Sequence, residues 1–222
     1  MVVSLPSVSA SQPFVFNWSV PSQVGLLNPH GLATDNTGHI YATDYLNSFL
    51  WKYAVNGTPI FRIGSQGWGD GQFHGPQGVA VNSTGFVFVA NSGDRRIDIF
   101  NSSGAFISKW EDPPNHLLES PYGIAINSSD FVYVTDSRNN SVYLFSPSGS
   151  LTKKWGSTGV GNGEFNSPSG VTVNKSGFVY VTDTENNRTQ VFTPSGTYVT
   201  KWGTGGTGND QFNWPMGIYA NP

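Results

Sequence analysis

Hydrophobic and polar residues alternate along this chain in runs of four to six, and the runs end at Gly, Pro, Asn, Asp or Ser. GVAV, FVFVA, RIDIF and AFISKW follow one another between residues 78 and 110. Alternation at period two, in residues rich in Val, Ile, Phe and Tyr, predicts β-strands. The gaps between runs hold only a few turn residues, too short for a crossover helix, so consecutive strands pair antiparallel. No segment shows the 3.6-residue period of an amphipathic helix. The predicted class is all-β.

The order of runs recurs. A Pro-x-Gly and an alternating run start at Pro29 (PHGLAT), Pro76 (PQGVAV), Pro121 (PYGIAI), Pro168 (PSGVTV) and Pro215 (PMGIYA), at intervals of 47, 45, 47 and 47 residues. Each unit reads as strand a (GVAV), a turn (NSTG, NKSG), strand b (FVYVTD), a loop with Asn, strand c (RTQVF), a second turn, and strand d (TYVTKWG). One four-stranded meander cannot cover both of its faces. Radial stacking of meanders does, which predicts a β-propeller, with a solenoid as the structural rival.

Equivalent positions support that packing. Trp18, Trp110, Trp155 and Trp202 end strand d, with Ile63 in the first full unit, and all are expected to be buried between blades. Phe73, Phe165 and Phe212 precede the next Pro by three residues, with Leu26 and Leu118 in the other units. Asp44, Asp136 and Asp183 close strand b, and Asn91 takes that place once. A short side-chain acceptor there suits the backbone N–H groups of the following loop, a structural task rather than a catalytic one.

The pattern P-x-G-[IV]-[AT]-[VI], G-F-V-Y-V-T-D, N-x-R, Q-V-F and G-x-x-x-x-x-W-G resembles the NHL repeat. It is fullest from Thr182-Asp183 to Arg188-Thr189-Gln190-Val191-Phe192 and runs over residues 14–220. Arg96 matches Arg188, whereas Phe49 and Ser141 replace it elsewhere. The resemblance implies a propeller, commonly six-bladed, and assigns no function by itself. PFVFNWS reads as a strand d without its partners and WPMGIYANP as a strand a alone, so the chain is expected to be an incomplete portion of a larger propeller. The expected divisions are a segment 1–13, an outer strand and loop 14–28, blades 29–75, 76–120, 121–167 and 168–214, and the start of another blade at 215–222.

Composition narrows the chemistry. Eleven Lys and Arg against 14 Asp and Glu give a net charge of −3. Lys153, Lys154, Arg188 and Lys201 are dispersed, which makes an RNA-binding NHL domain the least favoured reading. There is no Cys, so disulfides and thiolate sites are excluded within this sequence. MVVSLPSVSASQPFVF lacks the basic and apolar regions of a signal peptide, and no run of 18 apolar residues predicts membrane insertion.

Two enzyme groups have related propellers. Resemblance to amidating lyases, which hold zinc by channel histidines, maps one such position onto His30 in N-P-H-G. Gln77, Tyr122, Ser169 and Met216 stand there in the other units, and His39, His74 and His116 lie in other phases of the repeat. One ligand does not hold a catalytic zinc. In strictosidine synthase-like and lactonase-like propellers calcium wants six to eight oxygens, and Asp35, Asp94, Asp98 and Asp130 form no cluster in sequence. No cofactor is expected, and no phosphate loop or nucleophile elbow occurs.

Eight Asn-x-Ser/Thr acceptors begin at Asn17, Asn56, Asn82, Asn101, Asn127, Asn139, Asn174 and Asn187. Asn82, Asn127 and Asn174 fall in a–b turns and Asn56 and Asn101 in c–d turns, on one propeller face; Asn139 and Asn187 fall in b–c loops on the other. Trp68, in the d–a loop GSQGWGDGQF, is either a protein contact or folded back on its own blade. These features point to a non-enzymatic recognition or assembly module, extracellular or at the cell surface, binding another protein or its own copies through the b–c and d–a face. Polysaccharide is a further partner class. The alternative is a fragment of a lyase-like or lactonase-like propeller enzyme.

Overall fold

A computed structural model of the chain describes residues 25–111 and 117–220. It contains four four-stranded antiparallel sheets, each in simple up-and-down order. Blade 1 comprises β1 (Pro29–Thr34), β2 (Ile40–Asp44), β3 (Phe49–Tyr53) and β4 (Pro59–Ile63). Blade 2 comprises β5 (Pro76–Val81), β6 (Val87–Asn91), β7 (Arg96–Phe100) and β8 (Phe106–Trp110). Blade 3 comprises β9 (Pro121–Ile126), β10 (Val132–Asp136), β11 (Ser141–Phe145) and β12 (Leu151–Trp155). Blade 4 comprises β13 (Pro168–Val173), β14 (Val179–Asp183), β15 (Arg188–Phe192) and β16 (Tyr198–Trp202). The fold is an all-β propeller of four blades, and the innermost strands β1, β5, β9 and β13 adjoin one another in turn. They line a channel of about 570 Å³ together with Met216, Gly217 and Ile218. Strands sharing one channel in this way do not form a solenoid stack.

The Pro-x-Gly spacing has a steric reason. A Cβ on Gly31, Gly78, Gly123 or Gly170 would lie 2.5, 2.5, 2.3 and 2.3 Å from the carbonyl oxygens of Gln77, Tyr122, Ser169 and Met216 respectively. Inner strands therefore meet backbone to backbone, and only glycine leaves the room. The Thr of the T-D pair bonds across the same junction. Thr135 Oγ1 accepts from Gly123 N–H at 2.8 Å and donates to Ser169 O at 2.5 Å. Thr182 does the same with Gly170 N–H (2.7 Å) and Met216 O (3.0 Å), and Thr43 with Gly31 N–H and Gln77 O. Blade 2 has Ala90 at this position.

Period two is the sequence signal, yet β6, β7, β10, β11 and β15 are buried at every residue. Blades on both sides cover β6, β7, β10 and β11, so the polar positions of those strands are internal as well; β15 is buried although a blade adjoins only one side of it among the described residues. The outer strands β12 and β16 are mostly exposed. Trp110 packs against Phe88 of its own blade and Phe145 of the next, and Trp155 against Tyr133 and Phe192. Gly149 and Gly196 seat these indoles, since a Cβ on either would lie within 2.6 Å of the ring. Both tryptophans are half-buried. Trp202 departs from the expected burial: it touches Tyr180 of its own blade and stays 43% exposed. No further four-stranded sheet follows among the described residues to supply its outer wall. Phe73 and Phe165 are fully buried, whereas Phe212 is only half-buried for the same reason. Trp18 lies outside the described residues.

Candidate functional site

The loops on one face are fixed from below by the residue that closes strand b. Asp136 Oδ1 accepts the N–H groups of Arg138 and Asn139 in the following loop. Its carboxylate also accepts those of Glu119 and Ser120 in the preceding d–a loop, at 2.7 and 3.1 Å. Asp44 likewise takes Leu27, Asn28 and Asn47, and Asp183 takes Asn166. The expected role in the following loop holds at Asp44 and Asp136, while Asp183 holds that loop through the Asn186 side-chain amide, and each also staples the loop that arrives from the previous blade.

Blade 2 solves the same problem with acid and amide exchanged. Where blade 4 has Asp183, Asn186 and Gln190, blade 2 has Asn91, Asp94 and Asp98. Asn91 accepts His74 N–H at 2.9 Å and donates to Asp94 (2.9 Å) and Asp98 (2.7 Å). Burial pushes the Asp98 carboxyl up to about 6, against the lowering pull of Asn91 and Arg96. Burial also raises Asp94, with Arg96 opposing it. Arg96 Nε is 2.8 Å from Asp98 Oδ1, but its N–H is not aimed at that oxygen. In blade 4 the matching bond from Arg188 Nε to Asp183 Oδ2 is well aligned at 2.7 Å.

These arginines hold the glycine-rich d–a loops. Arg96 donates to the carbonyls of Trp68, Gly69 and Gln72. Arg188 donates to those of Val160, Gly161 and Glu164. Inside each loop a side chain returns to a backbone N–H, from Gln72 to Gly69 and from Glu164 to Gly161. The backbone of Trp68 is therefore pinned while its ring points out, 66% exposed, with one edge contact to His74 at 4.5 Å.

The b–c and d–a loops of blades 1, 2 and 3 enclose a recess of about 520 Å³ beside the channel mouth. That is within the size range of small-ligand sites. Tyr45, Tyr122, His74, Arg95, Glu119 and Arg138 line it. Arg95 and Glu119 form an ion pair at 3.3 Å. Ser92, Ser120 and Ser137 join their hydroxyls across blades 2 and 3 at 3.0 and 3.1 Å. Burial, then the neighbouring Tyr45, raises the Tyr122 phenol above its ordinary value. Gln77 is 7% exposed, and its buried Oε1 has no hydrogen-bond partner among the described residues. An unmet buried acceptor beside a cavity calls for a donor from a ligand or solvent. Arg95 stands out for its backbone. The residue before strand c is left-handed in every blade, at Ser48, Arg95, Asn140 and Asn187 (φ 56, 56, 48 and 51°). Asn tolerates that conformation and Arg does not favour it.

The other candidates are scattered. His30 is exposed at the channel mouth, stacked on Tyr45 at 5.0 Å with Tyr122 at 6.1 Å. His39 sits on the opposite face in an a–b turn, bonded to Asp35. Asp130 ties the a–b turns of blades 2 and 3 through Ser83. His116 and Asn17 lie outside the described residues. Among the described residues no three His, Cys, Asp or Glu converge as metal ligands, and no helix is long and apolar enough to cross a membrane. Lys153, Lys154 and Lys201 are exposed on β12 and β16, while Arg188 is buried beneath its loop. Arg95, Arg138 and Gln77 were not distinguishable as site residues in the sequence; the left-handed position of Arg95, where other units carry Asn or Ser, was the available signal.

The family model described as NHL repeat matches residues 26–53 and 165–192. NHL repeat-containing protein 3 of Homo sapiens is 33% identical over 89 residues, covering 38% of this chain and 26% of that protein. The chain thus matches about a quarter of that relative's length. Among solved structures, a streptogramin B lyase superposes with a TM-score of 0.62 at 16% identity, over 84% of this chain and 57% of the lyase. Virginiamycin B lyase from Staphylococcus aureus gives 0.62 at 16%, over 79% and 55%. At such identities the likeness is one of fold.

Proposed function

We propose that this chain, which belongs to the NHL-repeat β-propeller family, is part of a larger propeller that takes a small ligand at its channel mouth. The observation that carries this is the recess over blades 1 to 3, where Arg95 holds a strained backbone and the Gln77 oxygen is buried without a partner. The left-handed turn recurs in every blade, so what singles out this one is an Arg kept beside a cavity where Asn would suit the backbone better. The larger propeller is supported by apolar surface at both ends of the blade row: Leu32 is 70% exposed at one, Trp202 and Tyr219 are exposed at the other. Further blades bury such faces.

A second reading makes that larger propeller an enzyme of the lyase kind. The fold likeness to two lyase structures supports it over plain protein binding, as does the placing of His30 and His74 at the recess and channel mouth. Imidazoles beside a ligand site are suited to moving a proton. Docking of a protein partner or of the chain's own copies would instead centre on Trp68. Polysaccharide would stack on Tyr45 and Tyr122.

Binding of a small-molecule panel, streptogramin B included, by saturation-transfer NMR separates these readings. Recess binding is lost in Arg95→Met and kept in Trp68→Ala. Conversion of a bound compound that is lost in His30→Ala with binding retained establishes the enzyme. Binding that survives Arg95→Met but not Trp68→Ala refutes the recess.

A further inference from the structure

We propose that Asn56, Asn82 and Asn101 are the acceptors of N-linked oligosaccharide in this chain, forming a cluster on the a–b and c–d turn face of blades 1 and 2. The proposal places the chain in a compartment with N-glycosylation and rests on turn geometry, independently of the recess on the other face. In the transfer, Asn Nδ2 attacks C1 of the first sugar of a polyprenyl-diphosphate oligosaccharide. The Nδ2–C1 bond forms, the C1–O bond to the diphosphate breaks, the lipid diphosphate leaves, and a base takes the amide proton. The group that matters is therefore Nδ2, and the eight sequons differ in what holds it.

At Asn82 the turn is built by the side-chain oxygen alone. Oδ1 accepts from Thr84 N (3.1 Å), Thr84 Oγ1 (2.9 Å) and Phe86 N (2.8 Å). Asn101 repeats this with Ser103 N, Ser103 Oγ and Ala105 N, and Asn56 accepts from Thr58 N at 3.1 Å. Asp35, Ser146 and Thr193 do the same work in other turns with oxygen only. The amide nitrogen is thus surplus to the turn, and at Asn56, Asn82 and Asn101 it makes no hydrogen bond among the described residues. The turns adjoin: Asn36 Nδ2 reaches Ser83 O, and Lys52 Nζ reaches Ser102 O.

The remaining described sequons differ. Asn139 Nδ2 lies within bonding distance of Leu117 O (3.3 Å), Asp136 Oδ2 (3.1 Å) and the Tyr143 hydroxyl (3.0 Å), which engages both its hydrogens. Asn187 is left-handed and its oxygen accepts Trp214 N–H; its amide nitrogen makes no hydrogen bond among the described residues but is packed against Gly205, where a glycan would displace the loop after β16. Asn174 Nδ2 donates to the Tyr180 hydroxyl at 3.1 Å, and Asn127, at the same turn position, stands close enough to Tyr133 to oppose the burial that raises its phenol. Blade 2 has Phe88 where blades 3 and 4 have Tyr133 and Tyr180, so the Asn82 amide has no hydroxyl to meet. A glycan on an engaged amide competes with that contact on folding, and chains carrying it are depleted from folded, secreted material.

The test is secretion of the chain from a glycosylating eukaryotic cell behind an added signal peptide, followed by glycopeptide occupancy on the monomeric fraction. High occupancy is expected at Asn56, Asn82 and Asn101, several-fold lower occupancy at Asn127 and Asn174, and none at Asn139 or Asn187. Phe88→Tyr supplies the missing hydroxyl and should lower occupancy at Asn82 several-fold with Asn101 unchanged. Equal occupancy at Asn82 and Asn174, indifference of Asn82 to Phe88→Tyr, or glycan on Asn139 in folded material overturns the proposal. So does full absence of glycan from the native protein isolated from its own source.

Discussion

Replacing Thr135 by Val is the sharpest probe of how neighbouring blades are joined. The two side chains are nearly isosteric, Thr135 is fully buried, and its hydroxyl accepts from Gly123 N–H and donates to Ser169 O across the junction of blades 3 and 4. Valine leaves both backbone groups unmet in a place that water does not reach. Leaving a buried donor or acceptor unsatisfied costs about 1–3 kcal/mol each, so the loss is roughly 2–4 kcal/mol after partial relaxation. A methyl group also cannot sit as close to Ser169 O as the hydroxyl does, which adds to the loss rather than offsetting it. For a chain of this length each kcal/mol moves Tm by about 2–4 °C, so a fall of roughly 5–15 °C is expected. The assay is urea denaturation followed by Trp fluorescence, with the slope compared between variants so that a change in midpoint reports stability. A loss under about 0.5 kcal/mol at unchanged slope would refute the view that this hydroxyl joins the blades. Ala90→Thr is the reciprocal change in the one complete blade that lacks it, expected to gain about 1 kcal/mol through a bond from Gly78 N–H and one to Tyr122 O.

Three further outcomes are expected. Arg95→Asn should raise stability by about 1 kcal/mol, because Asn suits the left-handed position, while abolishing recess binding; a fall in stability would show that the Arg95–Glu119 pair outweighs the strain. Asp98→Asn should flatten the pH dependence of stability: with a folded pKa near 6 against an ordinary value of 3.8, this group's favourable contribution is complete below about 3.8 and lost as pH rises through 6. Thermal scans from pH 4 to 8 that leave wild type and Asp98→Asn parallel would refute that assignment. Trp155→Ala should cost about 3 kcal/mol and Trp202→Ala about 1 kcal/mol or less by denaturant titration, since only the former is walled by a following blade; equal losses would contradict the packing described.

What the sequence disclosed was whatever repeats. Pro-x-Gly at near-constant spacing, the Thr-Asp pair and the terminal Trp of strand d each recur because every blade faces the same neighbour. The structure supplied the reasons: Gly123 has no room for a Cβ against Ser169, and Thr135 spans that junction. Trp202 misled because its position in the repeat is identical to that of Trp155 while its surroundings are not. The recess was illegible for the opposite reason. Tyr45, Arg95 and Tyr122 come from three blades and from positions where the units disagree, so no single period brings them together. The sequons were visible at once. Their inequality was not, since it turns on Phe88 against Tyr180, six residues beyond the acceptor and on another strand.

The reach of Arg96 and Arg188 into the loop that precedes their own blade has a bearing on how such chains are rebuilt. Counted from Pro to Pro, a glycine-rich loop belongs to the blade it leaves, yet its carbonyls are held by an arginine of the blade it enters. The transferable cassette is therefore displaced from the sequence repeat: it starts after strand d of one blade and closes at strand c of the next. A chimera cut at the prolines would bring each loop to a stranger's arginine, or to the serine of blade 3, and lose its shape with every strand intact. One cut after strand d would carry loop and clamp as a pair, and loops of different length could then be exchanged along the propeller without disturbing the channel.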